Sequence, residues 1–312
     1  MVKFIMMIGL LASGKSTKAK ELQNEIPNSI LLSSDALRLE LYNNINDIEH
    51  NGQIFNEMIK RTRDCLKKEI TVIYDATNIS SKRRENILKH QLKNINCYKE
   101  CYYLSSMWSD CILNDLSRNR TVGKEVIFKM RNNMQVPMYY EGWDNINLLN
   151  KFDRGGYNRW LSNFVYEYKS EFLNIYKQWS FTKGCIEMPQ DNPHHTYSLS
   201  RHMFKTYENL RNEGLLAIAG ALHDVGKLYC KEFKEDGYAH YYNHENISAQ
   251  LSIEYMLRFT NLSEDEIIYI TTLIQLHMRV FNVEGLKKLR ERIGYDLYED
   301  LLNLHNADIK AK

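Results

Sequence analysis

Residues 9–16 read GLLASGKS and residues 219–228 read AGALHDVGKL, and both stretches carry side chains suited to handling phosphate. The first fits the spacing G-x-x-x-x-G-K-[ST], directly after an apolar run and at the opening of a helical pattern. Its glycines, Gly9 and Gly14, let the chain curl so that successive N–H groups of the loop face a β-phosphate. Gly9, Ala12, Ser13, Gly14, Lys15, Ser16 and Thr17 are therefore the candidate ATP cradle. Lys15 reaches the β- and γ-phosphates and Ser16 ligates Mg2+, so ATP and Mg2+ are the expected cofactors. The second stretch is an apolar helical run that ends in adjacent imidazole and carboxylate, His223 and Asp224. Four more residues sit on helical stripes of apolar neighbours: His202 with Leu199 and Thr206, His244 with Ile247 and Leu251, His277 with Ile270 and Ile274, Asp308 with Leu301 and Leu304. Unpartnered, such groups pointing inward would cost several kcal/mol each, and a shared cation removes that cost. Mixed imidazole and carboxylate ligands suit Mn, Fe, Co, Ni or Mg, one ion or two, better than a sulfur-bound zinc. A cation so held activates water for attack on phosphorus. His194 and His195 are either substrate-facing or ordinary polar loop residues, and His305, on the same face as Asp308, is given no role.

What the γ-phosphate passes to must be sought beside the cradle. SSDALR places Asp35 at the carboxyl edge of a second strand, where ligands of α/β sheets bind. Asp35 either takes a proton from an attacking hydroxyl or, like Ser34, is there to cap the following helix. Arg38, one turn on, suits a phosphate of the acceptor. Asp75, closing TVIYD, suits the magnesium water shell or the acceptor site. Arg118 and Arg120, in SRNR, are either lid residues over the transferring phosphate or surface arginines at a helix end.

These groups need a frame. VKFIMMI, SILL, TVIY and NCYKECYYL read as strands, separated by amphipathic segments near 15–24, 51–68, 81–93 and 106–118, which predicts a parallel α/β sheet over residues 1–150. Pro137 and Gly142 close that region. Residues 151–184 are expected to form an aromatic-rich helical connector. From 185 to 312 every segment has helical period and none reads as a strand, so an all-α domain is expected. The chain has 312 residues, 44% apolar and 26% charged, which is globular composition. Its net charge of +2 divides as +4 over residues 1–150 and −2 over the rest. The basic clusters at 60–68 and 82–84 are either solvated helix faces or seats for a phosphate-rich partner. Six scattered cysteines suit buried free thiols. The first apolar run is too short for a leader and no stretch spans a bilayer, so a soluble, cytoplasmic protein without membrane contact is expected.

GLLASGKST, SSDALR, VIYDATN and RNR together resemble the P-loop kinase domain of polynucleotide 5′-hydroxyl kinases, over about residues 1–145. The resemblance implies that Asp35 is the general base for a 5′-OH and that Arg38 binds the neighbouring phosphate of the acceptor. It gives Lys15, Ser16 and a lid arginine to ATP, although Arg118 and Arg120 are more closely spaced than the usual lid. PQDNPHHTYSLSRH, ALHDVGK, YYNHE, LIQLH and HNADIKAK resemble the HD phosphohydrolase superfamily over 185–312. There His202, His223, Asp224 and Asp308 would hold a first metal, Asp224 would bridge to a second held by His244 and His277, and Lys227 would steady the substrate phosphate.

The expected fold is thus an α/β P-loop kinase domain, a parallel sheet flanked by helices, followed by an all-α HD domain. The expected function is nucleic-acid end healing, on RNA or DNA. The first domain would phosphorylate 5′-OH ends. The second would remove a 3′-phosphate or open and hydrolyse a 2′,3′-cyclic phosphate, leaving ends for a separate ligase. The alternative is a nucleoside or nucleotide kinase fused to an HD nucleotidase or cyclic phosphodiesterase.

Overall fold

Five consecutive residues, Phe4 to Ile8, have no solvent exposure, as expected of a strand covered on both faces. They lie in β1 (Lys3–Ile8), the centre of a parallel sheet in the computed structural model of the chain. The structure describes residues 1–118, 121–150, 185 and 188–312; Arg120 and the connector 151–184 lie outside them. The chain divides into two compact units, Met1–Lys151 and Phe152–Lys312.

In the first unit β1 is joined by β2 (Ser29–Ser33), β3 (Thr71–Asp75), β4 (Tyr98–Ser105) and β5 (Asn145–Asn150), in the order β2-β3-β1-β4-β5 with every pairing parallel. The connections are α1 (Lys15–Glu25), α2 (Ser34–Tyr42), α3 (Asn51–Lys67), α4 (Ser81–Asn86, continued by a π turn Ile87–Gln91), α5 (Trp108–Leu116) and α6 (Lys124–Asn133). Met7 pairs with Asp75 and Ser33 pairs with Asp75 across β3. Parallel strands therefore bring the phosphate loop, Ser33–Asp35 and Asp75 to one sheet edge. This five-stranded parallel sheet with flanking helices fits a P-loop kinase.

One strand was not expected from the sequence. NINLLN forms β5, with Ile146 and Leu148 buried between asparagines. Its polar residues read as loop because an edge strand pairs on one side only and tolerates them.

One of the basic clusters also changes meaning. Arg84 is fully buried and bidentate to Glu141, at 2.8 Å from Nε and 2.6 Å from a terminal nitrogen. Its remaining N–H groups donate to the carbonyls of Asn78, Gln135 and Val136 at 2.9 to 3.0 Å, and Trp143 Nε1 donates to Glu141 at 3.0 Å. Arg84 is a structural tie and not a seat for a partner. Arg84→Met would leave Glu141 as an uncompensated buried carboxylate, costing about 3–5 kcal/mol. Urea unfolding of the variant checks this, and adding Glu141→Met should restore part of the loss.

The second unit is helical over most of its described residues: α7 (Leu199–Asn209), α8 (Leu215–Leu222), α9 (His244–Phe259), α10 (Glu264–Leu276), α11 (Leu286–Ile293) and α12 (Tyr295–Lys310). LLAIAGAL is apolar on nearly every side, so α8 takes the middle and packs on α7, α10 and α12. The expectation of no strand needs correcting. Glu232–Phe233 (β6) and Ala239–His240 (β7) form a two-residue antiparallel ribbon around Gly237, too short to leave an alternating pattern in sequence. Among the described residues, no helix is long and apolar enough to cross a membrane.

Candidate active site and metal centre

The turn from β1 into α1 places Ala12 (φ 59°) and Gly14 (φ 96°) in left-handed conformation, which folds the intervening N–H groups inward. No side chain caps α1, so its first N–H groups remain available to an anion. A β-carbon on Gly9 would meet Ser13 Oγ at 3.1 Å and the Leu104 carbonyl at 3.2 Å, so the loop lies tight against β4. Asn114 Nδ2, from α5, donates to the Ala12 carbonyl at 3.0 Å and braces the cradle.

A cavity of about 440 Å³ opens beside this loop, and Lys15, Ser16, Thr17, Asp35, Arg38, Asp75 and Arg118 all line it. Ser16 Oγ donates to Asp75 Oδ2 at 2.7 Å, so hydroxyl and carboxylate stand side by side, a donor pair that fits Mg2+. Burial raises the Asp75 pKa, with Ser16 and Lys15 opposing. Lys15 Nζ donates to the Leu10 carbonyl at 2.5 Å. Burial lowers its pKa to about 8; the Asp75 charge opposes that, and the Arg118 charge adds to it. Across the cavity Arg38 donates to Asp35 Oδ1 at 2.8 Å, Asn51 Oδ1 at 2.7 Å and the Asp47 carbonyl at 3.0 Å. Its guanidinium is thereby aimed before any acceptor arrives. Asp35 does not cap α2: the N-cap is Ser33, without a side-chain hydrogen bond. Arg118 lies 3.9 Å from Asp115 Oδ1, and Asp115 Oδ2 accepts from the N–H groups of Val122 and Gly123 at 2.9 and 3.0 Å. That buried carboxylate thereby holds the backbone of Val122 and Gly123 at the start of α6.

The six imidazole and carboxylate candidates of the second unit converge. His202, His223 and Asp308 offer ligand atoms within 4.8 Å of one another, and so do Asp224, His244 and His277. Asp224 faces both groups: Oδ2 lies 3.2 Å from His202 Nε2 and 3.3 Å from His223 Nε2, while Oδ1 lies 3.1 Å from His244 Nε2 and 3.6 Å from His277 Nε2. Asp308 Oδ1 is 3.2 Å from His202 Nε2.

Tautomers show that these residues fit a metal. Each Nδ1 faces a carbonyl: Ala311 for His202 at 3.2 Å, Gly220 for His223 at 2.9 Å, Tyr241 for His244 at 2.7 Å and Ile274 for His277 at 2.7 Å. A carbonyl only accepts, so each Nδ1 carries a proton and each Nε2 is the ring atom turned inward, with a lone pair to offer wherever it carries no proton of its own. Two such lone pairs face each other at 3.3 Å (His202 and His223) and at 3.1 Å (His244 and His277). They repel unless a cation sits among them, and the carbonyl partners are the usual orienting groups of metal-bound histidine. A divalent cation held there would supply Lewis-acid polarisation of a bound oxygen and activation of water.

A proton competes for the same place. Burial by itself lowers the His202 pKa, but hydrogen bonding to Asp224 and Asp308 overrides this and raises it to about 9. Below that pH a cation must displace the proton, so divalent-ion affinity should weaken by up to about tenfold per pH unit as pH falls. Competition titrations with a chromophoric chelator at pH 6, 7 and 8 check the slope; a flat affinity contradicts it.

Lys227 is buried beside the cage, with Nζ 2.7 Å from Asp224 Oδ2, 3.0 Å from Gln190 Oε1 and 3.2 Å from His195 Nε2. Burial first, then the Lys227 charge, pull the His195 pKa down to about 3, so this ring is neutral near pH 7. His194 and His195 line the cavity of about 420 Å³ that opens on the cage. His305 packs edge-on against Phe281, with ring centroids 4.5 Å apart, and is not one of the converging ligands. Gln190 and Tyr241, whose hydroxyl donates to the Gln190 carbonyl at 2.6 Å, were not singled out in sequence; neither carries a spacing signal.

Residues 4–137 match the family model of an AAA domain. This match, with the sheet and loop geometry, makes the first unit a P-loop kinase-like domain for which ATP and Mg2+ are the implied ligands. No curated protein matches the chain. Among solved structures, a chain from the Pnkp1/Rnl/Hen1 complex is 21% identical, with TM-score 0.33, over 39% of this chain and 40% of that one. A chain from the Pnkp1/Rnl/Hen1 RNA repair complex is 19% identical, with TM-score 0.38, over 41% and 42%. The chain thus spans about two fifths of the length of these relatives.

Proposed function

We propose that the protein heals broken nucleic-acid ends, transferring the γ-phosphate of ATP to a 5′-OH in its first unit and hydrolysing a terminal 3′-phosphate or 2′,3′-cyclic phosphate in its second. The observation that carries this reading is that Asp35 and Arg38 line the same cavity as Lys15 and Ser16. Donor phosphate and acceptor hydroxyl can therefore meet between Lys15 and Asp35, with Asp35 taking the proton and Arg38 gripping the acceptor's next phosphate. Arg118 supports the transferring group, and Arg120 is the second lid candidate. In the second unit, which we read as an HD-type phosphohydrolase domain, His202, His223, Asp224 and Asp308 would hold one cation. Asp224, His244 and His277 would hold another, with Lys227 on the substrate phosphate. Phosphotransfer and phosphate removal in one chain suit the two sides of a single break, whose exchanged ends a separate ligase can seal. A nucleoside kinase needs an enclosed acceptor pocket, whereas the Asp35 side chain is 47% exposed.

Labelled phosphate transfer from ATP to a 5′-OH oligonucleotide, run beside a set of nucleosides, tests the first activity. Oligonucleotide labelling is expected; transfer to nucleosides alone would sink the reading.

A further inference from the structure

The structure sorts the basic clusters of the first unit by what they touch. Arg84 is taken up by Glu141 inside the fold, and Arg61 is held by Glu40 at 2.6 Å and Glu57 at 2.9 Å. Arg63 and Arg83, with Lys60 (Nζ 3.7 Å from Glu57), line a groove of about 370 Å³ between α3 and α4, floored by Phe55, Ile59 and Ile87. The Arg83 guanidinium carbon stands 3.3 Å from the centre of the Phe55 ring, which holds it as a flat, pre-aimed donor. Arg63 reaches across the groove to the Gln91 carbonyl and joins its two walls. Asp64 is the one carboxylate among the lining residues.

This groove continues the acceptor side of the kinase cleft. Phe55 lines both cavities. Asn51, which positions Arg38, lies one helical turn before Phe55 on the same face of α3. Burial lowers the Arg83 pKa; Tyr74 opposes this and the Arg38 charge adds to it.

We propose that the groove between α3 and α4 binds the phosphodiester backbone of the acceptor strand beyond its 5′-terminal nucleotide, through Arg83, Arg63 and Lys60. The inference rests on the kinase reading above and adds to it a seat for the strand beyond its first phosphate. Arg38 serves the first phosphate; the groove serves those that follow.

The test compares two 5′-OH acceptors, a nucleoside 3′-monophosphate and a hexanucleotide, with wild type, Arg83→Gln and Arg63→Gln under saturating Mg-ATP. Loss of one charged contact should raise the hexanucleotide KM about tenfold, with kcat within roughly twofold. The KM of the nucleoside 3′-monophosphate should stay unchanged in the same variants, which also shows that they fold. A hexanucleotide with neutral methylphosphonate linkages beyond the first phosphate should lose the wild-type advantage without any mutation. Equal losses on both acceptors, or no change on either, overturn the groove while leaving the kinase standing. Failure to label any polynucleotide overturns both.

Discussion

Asp224→Asn should abolish release of phosphate from a 3′-phosphorylated oligonucleotide while leaving 5′ phosphorylation within about twofold of wild type. The size follows from the geometry. One carboxylate faces four histidine Nε2 atoms at 3.1 to 3.6 Å, two on each of its oxygens. Removing its charge withdraws a ligand from both groups at once. Loss of an orienting partner beyond the ligands costs about 10–100-fold, so loss of this shared ligand should exceed 100-fold. Bound divalent metal, measured on purified protein loaded with Mn2+ or Ni2+, should fall in parallel. Retained metal with lost hydrolysis would instead make Asp224 a substrate-handling group.

Lys15→Met should abolish phosphotransfer and, at pH 7, make the nucleotide-free protein more stable. Losing one preorganised cationic donor to a reacting phosphate costs at least about 10²–10³ in rate. The stability gain comes from the fall of the Lys15 pKa from 10.5 to about 8 on burial. Below pH 8 both folded and unfolded chains carry the proton, so the folded chain bears the full cost of a buried ammonium. Above pH 8 the folded chain sheds the proton while the unfolded chain keeps it up to 10.5, and stability rises with pH across that window. The cost is about 3 kcal/mol, less whatever the Leu10 hydrogen bond returns, so a gain of about 1–3 kcal/mol is expected. Urea unfolding at pH 7 and pH 9.5 checks it, with the gap between variant and wild type narrowing at the higher pH. A less stable variant at pH 7 contradicts the argument.

What could be read from sequence divides by how local its cause is. The phosphate loop is eight contiguous residues whose glycine positions dictate one backbone path, so GLLASGKS alone located it. The six imidazole and carboxylate residues stood out because polar groups on apolar helical faces need a reason. Their sharing of Asp224 was implied only by the family resemblance and not by any spacing, since it depends on which oxygen faces which helix. Nor could Gly226: a β-carbon there would lie 2.3 Å from the His244 carbonyl, a close approach between distant segments that presses HDVGK against α9. Asn51 and Asp47, which aim Arg38, come from α3 and the loop before it and show no spacing that marks them. Composition grouped Arg84 with Arg83, yet one faces Glu141 in the core and the other a groove, because neighbours on a helix point in different directions. The strand NINLLN was hidden by its asparagines.

The most direct measurement uses a single oligonucleotide bearing a 5′-OH and a 3′-phosphate, incubated with the protein, ATP, Mg2+ and Mn2+ and resolved by mass. The expected product carries a 5′-phosphate and a 3′-OH, with Lys15→Met halting only the first change and Asp224→Asn only the second. A strand that emerges with both ends unaltered, while free nucleosides or nucleotides turn over, would contradict the end-healing reading.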